Sequence, residues 1–319
     1  MTLAQLGRLL GLDTSTVSLA LRESPRVAAA TRQRVREAAR IHDYRPNLAA
    51  RQLVGRGRPQ LIGLVMPDAL NSLASQVVAR TARRLAELAQ GEGLALTIAP
   101  ASAIADDDRP GLRPDGLFVW GDVPAEQARA LARRRPVVVL DPNHPSYRGY
   151  GGHAIALDNA GVGALLARHL AARGARRLLI VRYRGDHLQH QDRWDGARAA
   201  WIADHAVTSV SMAYEDELDD AHLGAFIGGR DGAILCSGDT TALVLLRRLQ
   251  RLGLRAPEDV RLAGVDGDDT GRIFGLTSAR FASEALAEAA FATLREQLAG
   301  GEPPPVVPLP FTLLPGDTT

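Results

Sequence analysis

The chain has 319 residues, more than one typical domain, which predicts a small domain joined to a larger two-lobed one. Its single cysteine, Cys236, excludes an intrachain disulfide and a multi-cysteine metal site, and its place in the apolar run Ala233-Ile-Leu-Cys236 marks it as a core residue. All 38 basic residues are Arg, and the net charge of +2 is unevenly spread: residues 1–60 carry eleven Arg against four acids, the remainder 27 Arg against 32 acids, so a basic head suited to a polyanion precedes a mildly acidic body.

Met1 to Arg8 has no basic segment leading into an apolar run and a cleavage site, and no stretch of 18 apolar residues occurs. The expectation is a cytoplasmic protein with no membrane partner. Leu3, Leu6 and Leu10 fall at helical spacing and Gly11 is a stop signal, which predicts a short first helix. Asp13 is a good N-cap for a second helix that turns Val17, Ala20 and Leu21 inward. Its other face presents Thr14, Ser15, Ser18, Leu19 and Arg22, groups that suit base edges, thymine methyls and phosphates in a major groove. After the turn at Pro25-Arg26, Thr31 is placed to cap a third helix through Ile41, with Val35, Ala38 and Ala39 inward. Two helices on so tight a link form a helix-turn-helix whose second helix reads DNA.

These residues resemble the lactose/galactose-repressor family of regulators. The resemblance runs through Leu12 to Arg22, Pro25-Arg26-Val27, Thr31-Arg32 and Tyr44-Arg-Pro-Asn47 to Leu53, in order and at the family spacing. It implies that Thr14, Ser15 and Leu19 read bases, while Thr2, Thr16, Ser18, Arg22, Arg26, Thr31, Tyr44 and Asn47 contact or position the backbone. Leu19 stands where many members carry Arg, so the preferred bases should differ from theirs. Pro46 to Leu53, including Ala50, resembles the family's hinge helix, which orders on operator DNA and levers Leu53 into the minor groove. An apolar wedge there trades unstacking for a kink and added contact; the alternative is a linker leucine packed on the body. Gly55-Arg-Gly-Arg-Pro59 reads as a flexible basic connector.

From Leu61, short apolar runs alternate with helical stretches: Leu61–Met66, Leu94–Ala99, Leu117–Trp120, Val137–Leu140, Ala154–Leu157, Leu178–Val181, Val207–Met212, Ala233–Cys236 and Val260–Val265. Continuous hydrophobicity implies strands covered on both faces, hence parallel, doubly wound sheets. The family resemblance continues through Pro67-Asp68, Asp115-Gly116, Asp141, Asp158-Asn159, Arg193 with Gly196, Gly238-Asp239, Gly264-Val-Asp266 and Leu276-Thr277. It implies an N-terminal all-α helix-turn-helix head (1–45), a hinge helix and linker (46–60), and an α/β two-lobed periplasmic-binding-protein-like body (61–319) with three crossovers and an effector between the lobes. Two connections are trimmed: residues 100–114, where the crossover helix is shortened or lost, and about 202–231, where a strand and a helix must share little chain.

Asp141, Asp158, Asp239 and Asp266 each follow an apolar run, placing carboxylates at strand ends, and Arg193 sits at a helix start. Carboxylates with a forked Arg suit the vicinal hydroxyls of a sugar. Trp120 and Trp194 offer stacking faces or core bulk, and Asp239 is a ligand contact or a helix N-cap. With Asp68 these make the effector set: Asp68, Trp120, Asp141, Arg193, Trp194, Asp239 and Asp266. Gly238 replaces the ligand-contacting Asn of many sugar-responsive members, which leaves a nucleoside, another metabolite or no effector open. No phosphate-binding loop, nucleophile elbow or zinc-protease motif occurs, so no enzyme activity and no cofactor are expected. His187 and His190 with Asp186 and Asp192 form a polar stretch where a metal role is the lesser reading. The expected function is a repressor, dimeric on a pseudo-palindromic double-stranded operator and switched by a small molecule. The alternative is a two-lobed binding protein without effector-switched DNA binding.

Overall fold

The computed structural model describes residues 3–21, 24, 26–42, 61–67, 75–105, 113–182, 187–204, 209–214, 218–228, 231–303 and 308–319. They fall into two compact units, the head and the body.

In the head, α1 (Leu3–Leu10), α2 (Thr14–Leu21) and α3 (Ala29–Ile41) close on Leu6, Val17, Ala20, Val27, Val35, Ala38 and Ala39. Gly11 ends α1 at a left-handed φ of 64°. A Cβ on Gly7 would stand 2.8 Å from the Leu12 carbonyl oxygen, so glycine is what lets α1 and α2 meet so closely. Arg32 Nη1 donates to the Val27 and Ser24 carbonyls (2.6 and 3.1 Å) and pins the turn between α2 and α3. Contrary to expectation, Thr31 is no cap: α3 begins at Ala29, and Ala28 before it makes no side-chain cap.

The body has two lobes. In the first, β1 (Leu61–Met66), β2 (Ala95–Pro100), β3 (Gly116–Trp120), β4 (Val137–Leu140) and β5 (Ala154–Ile155) form a parallel sheet ordered β2-β1-β3-β4-β5. It is flanked by α4 (Gln76–Gly91), α5 (Ala101–Ala105) and α6 (Ala125–Ala132). In the second, β6 (Arg177–Arg182), β7 (Ser209–Tyr214), β8 (Gly232–Cys236), β9 (Arg261–Asp266) and β10 (Thr277–Arg280) are parallel. Its helices are α7 (Asn159–Ala172), α8 (Leu188–Asp204), α9 (Asp220–Ile227), α10 (Asp239–Arg251) and α11 (Asp269–Ile273). Two strands have no counterpart among the apolar runs: β10, and β11 (Thr312–Leu314), which runs antiparallel to β10 at the sheet edge.

The last helix, α12 (Ser283–Leu298), returns to the first lobe and packs on α4, β3, β4 and β5. The chain thus passes between lobes at Leu157–Asp158, at Phe281–Ala282 and on its way to β11, where Leu309 bonds both Ala156 and Asp158 through the backbone (2.9 and 2.8 Å). Both shortened connections are seen: α5 has five residues, and β7 and α9 fit between α8 and β8. A single apolar cluster, from Ile62 and Phe118 through Leu166 to Ala263 and Phe291, spans both lobes, so the crossovers run through a continuous core.

Candidate functional sites

On the head, Thr14 and Ser15 open α2 and are exposed, with Thr16 and Ser18 half-buried beside them. Leu19 is half-buried and leans on the head core, leaving only part of its side chain for contact. Arg26 is exposed and Thr31 half-buried in the first turn of α3. Thr2, Arg22, Tyr44, Asn47, Ala50 and Leu53 lie outside the described residues, as does Asp68 of the effector set.

In the body, the carboxyl ends of both sheets face a cavity of about 300 Å³ lined from both lobes by, among others, Trp120, Asp122, Asp141, Arg193, Thr240 and Asp266. This is where doubly wound sheets place ligands. On the first lobe, β3 ends at Trp120 and turns at Gly121, where a Cβ would collide with the Asp141 carbonyl oxygen at 1.7 Å. That close approach lets Gly121 accept from the Asn143 and His144 backbone N–H groups (3.1 and 2.8 Å) and brings the two strand ends together. Asp141 has φ 46°, unusual for a residue with a Cβ, and its carboxylate accepts from Asn143 Nδ2 at 3.1 Å. Burial pushes its pKa up, while Asn143, Arg193 and the Leu157 N–H pull it down.

On the second lobe, Arg193 is 7% exposed and projects from α8. Its Nε donates to Asn159 Oδ1 (2.9 Å), its Nη1 to the Ser237 carbonyl (2.8 Å), and its guanidinium lies 5.6 Å from the centre of the Phe311 ring. Among the described residues Nη2 makes no hydrogen bond, so one arm of the fork is open to the cleft. Burial lowers the Arg193 pKa, opposed by the carboxylates of Asp266, Asp141 and Asp239. The helix carrying it can approach α7 because two glycines face it: a Cβ on Gly163 would lie 2.0 Å from the Arg193 carbonyl oxygen, and one on Gly196 2.0 Å from that of Ala160. Asp266 follows β9 at φ 120°, a strained position of the kind that collects at functional sites. Burial pushes its carboxyl up to about 7, against the pull of Arg193 and with a push from Asp239 and Asp268. Ser237 Oγ is buried at the cleft wall with no partner among the described residues.

Two expected contacts are elsewhere. Asp239 is fully buried, and its carboxylate accepts from Ser278 Oγ (2.6 Å) and the Asp268 N–H (2.8 Å), tying α10 to the β9–α11 turn. It is neither a cleft wall nor the cap of α10, whose N-cap position is Gly238. Trp194 packs on the core beside Leu166 and Val265. Asp158 caps α7 through the Gly161 N–H (2.8 Å). Conversely, Asp122, Asn143, His190, Ser237 and Thr240 line the cleft without having been expected there.

The lobes touch on both sides of the cleft. Arg80 of α4 reaches Asp269 (3.1 Å) and the Gly267 carbonyl (3.3 Å), and Gln76 accepts from the Asp269 N–H (3.1 Å). On the other side the Leu188 N–H donates to the Asn143 carbonyl (2.8 Å) and His187 Nδ1 lies 3.3 Å from Asp122. Among the described residues no group of three His, Cys, Asp or Glu is placed to hold a metal ion, and no helix is long and apolar enough to cross a membrane.

A helix-turn-helix head on a two-lobed body with a polar interlobe cleft defines a DNA-binding regulator. Residues 2–47 match the bacterial regulatory proteins of the lacI family, and residues 167–319 the periplasmic binding protein-like domain. A relative from Vibrio atlanticus, the HTH-type transcriptional repressor PurR, is 26% identical over 315 residues, 93% of this chain and 92% of its own. Among solved structures, a Lac repressor dimer bound to operator and the anti-inducer ONPF shares the fold at 19% identity (TM-score 0.81, covering 100% of this chain and 98% of the other). The regulator CelR in complex with cellobiose does so at 22% identity (TM-score 0.67, full coverage of both). The chain thus carries a lacI-family DNA-binding region ahead of a periplasmic binding protein-like domain.

Proposed function

We propose that this regulator is a cytoplasmic repressor, not an enzyme, that binds a pseudo-palindromic operator as a homodimer and is switched by a sugar held between the lobes. The observation that carries the effector reading is the cleft itself. Asp141 from one lobe meets Arg193 and Asp266 from the other, a forked donor between carboxylates that together pair with vicinal hydroxyls. At about 300 Å³ the cavity is at the small end of ligand sites. Thr14, Ser15 and Leu19 read bases, while Thr2, Thr16, Ser18, Arg22, Arg26, Thr31, Tyr44 and Asn47 contact or position the backbone, and Leu53, in the same hinge segment as Ala50, enters the minor groove. Dimerisation is assigned to the face of α10 and α11, where Ile273 and Phe274 are 81% and 61% exposed beside Val244, an apolar surface a lone chain leaves in water.

The test has two stages: selection of bound sites from random duplex DNA, then operator titration with a panel of sugars and nucleosides. A palindrome, and an affinity changed by a sugar in wild type but not in Arg193→Ala, support the reading. A cleft ligand that leaves operator affinity untouched turns it toward a binding protein without the switch.

A further inference from the structure

We infer that the effector is an amino sugar, a ring of hydroxyls carrying one protonated amine, and that Asp122 and Asp141 hold the ammonium; this rests on the reading of the cleft as a sugar site given above. Among the described residues that line the cavity, three carboxylates, those of Asp122, Asp141 and Asp266, stand against one guanidinium, that of Arg193. Asp239, fully buried behind the wall, adds its charge to that of Asp266. Residues 68–74 and 182–186, where β1 and β6 give way to the next helices, hold two Asp and two Arg in sequence and so add no net charge. Hydroxyls satisfy hydrogen bonds, but they leave this excess of negative charge unanswered.

The excess is concentrated on the first lobe. The Gly121 carbonyl that accepts from Asn143 and His144 brings the ends of β3 and β4 together, and with them Asp122 and Asp141. The Asp141 carboxylate takes an amide, Asn143 Nδ2 (3.1 Å), and the Leu157 N–H, neither of which is a cation. Asp122 Oδ1 is buried, 3.3 Å from His187 Nδ1 and in no hydrogen bond. Among the described residues neither carboxylate is within salt-bridge distance of a guanidinium. Burial pushes the Asp141 carboxyl up, and the charge of Asp122 pushes it further, against the pull of Asn143 and Arg193.

The opposite wall carries an independent sign of a ligand. Ser237 is 8% exposed, its Oγ has no hydrogen-bond partner among the described residues, and it lines the same cavity. A buried hydroxyl left without a partner is uncommon, and a ligand hydroxyl supplies one. A primary ammonium offers three N–H donors on one carbon, enough to bond a carboxylate of each strand end at once. Such charge-assisted bonds are the strong ones, and a buried carboxylate gains most from them because it is costly without a cation.

The experiment is calorimetric titration of the full-length protein at pH 7 with matched pairs, glucose and glucosamine, galactose and galactosamine, mannose and mannosamine, together with the N-acetyl derivative of each amine, which keeps the nitrogen and removes its charge. The same ligands are then added to the operator titration. In at least one pair the amine should bind about tenfold to a hundredfold more tightly than both the parent sugar and the N-acetyl form, and should change operator affinity. Asp122→Asn should bring the members of that pair to within about threefold. A neutral sugar that binds at least as tightly as its amine and shifts operator affinity overturns the amine and leaves the sugar-switched reading standing. An amine preference untouched by Asp122→Asn overturns the placing of the ammonium on the first lobe. Wild type that binds no member of the panel overturns the sugar reading and this inference with it.

Discussion

Replacing Asp266 by Asn should make the body more stable while emptying the cleft of one ligand contact. The ordinary carboxyl pKa of about 3.9 applies in the unfolded chain. In the fold, burial pushes that of Asp266 to about 7. At about 1.4 kcal/mol per unit the ionised group costs about 4 kcal/mol, and its cleft-facing edge reduces the expectation to about 3. Between pH 4 and 7 the folded chain keeps a proton the unfolded chain has lost, so this contribution is fully present below pH 4 and disappears as pH rises through 7. Asn cannot ionise, and its Oδ1 still accepts the Asp239 N–H that bonds the carboxylate. Urea unfolding followed by tryptophan fluorescence reads the body alone, because Trp120, Trp194 and Trp201 all lie there. The Asn variant should gain about 3 kcal/mol at pH 8 and much less at pH 5. No gain at pH 8, or the same gain at both, would refute the assignment of strain to the ionised carboxylate.

Leu53→Ala should weaken operator binding by more than about 1 kcal/mol without lowering thermal stability; an unchanged titration returns Leu53 to a linker role. Arg22→Ala should flatten the salt slope by about one unit and leave base preference alone, whereas Ser15→Ala should do the reverse in a site-selection assay. Gly196→Ala places a methyl against the Ala160 carbonyl and must push α8 off α7, which predicts a loss of about 1–3 kcal/mol by denaturation and a displaced Arg193.

The strands were legible because buried parallel strands write themselves as apolar runs, and their observed limits fall within two residues of those runs from Leu61 to Val181 and from Ala233 to Val265. β10 and β11 were not: Thr277-Ser-Ala-Arg280 is mostly polar, and Thr312-Leu-Leu314 is short, with its pairing fixed by the returning chain and not by local sequence. Asp141, Arg193 and Asp266 were found because strand ends and helix starts are local signals. Asp239 looked the same in sequence, yet Ser278, 39 residues away, claims its carboxylate. Trp194 follows Arg193 directly on one helix, and neighbours on a helix point about 100° apart, so only one of the two can face the cleft. The same rule run backwards finds His190, three residues before Arg193 and on its face. Asp122 lies two residues and Asn143 three residues beyond a strand end, reachable from sequence only if the strand-end window is widened past the first residue.

The path of the chain between the lobes has a consequence for the protein during its synthesis. The head is complete once α3 has left the ribosome, and an N-terminal domain folds as it emerges. The first lobe must wait for α12, and the second for β11 and for Thr318, whose hydroxyl bonds the Leu262 carbonyl at 2.7 Å and accepts from the Thr277 N–H at 2.9 Å. At about 5–20 residues per second, the nascent chain carries a folded head ahead of an unfinished cleft for many seconds. The DNA-reading head is therefore folded well before the lobes that pair two copies and enclose the cleft.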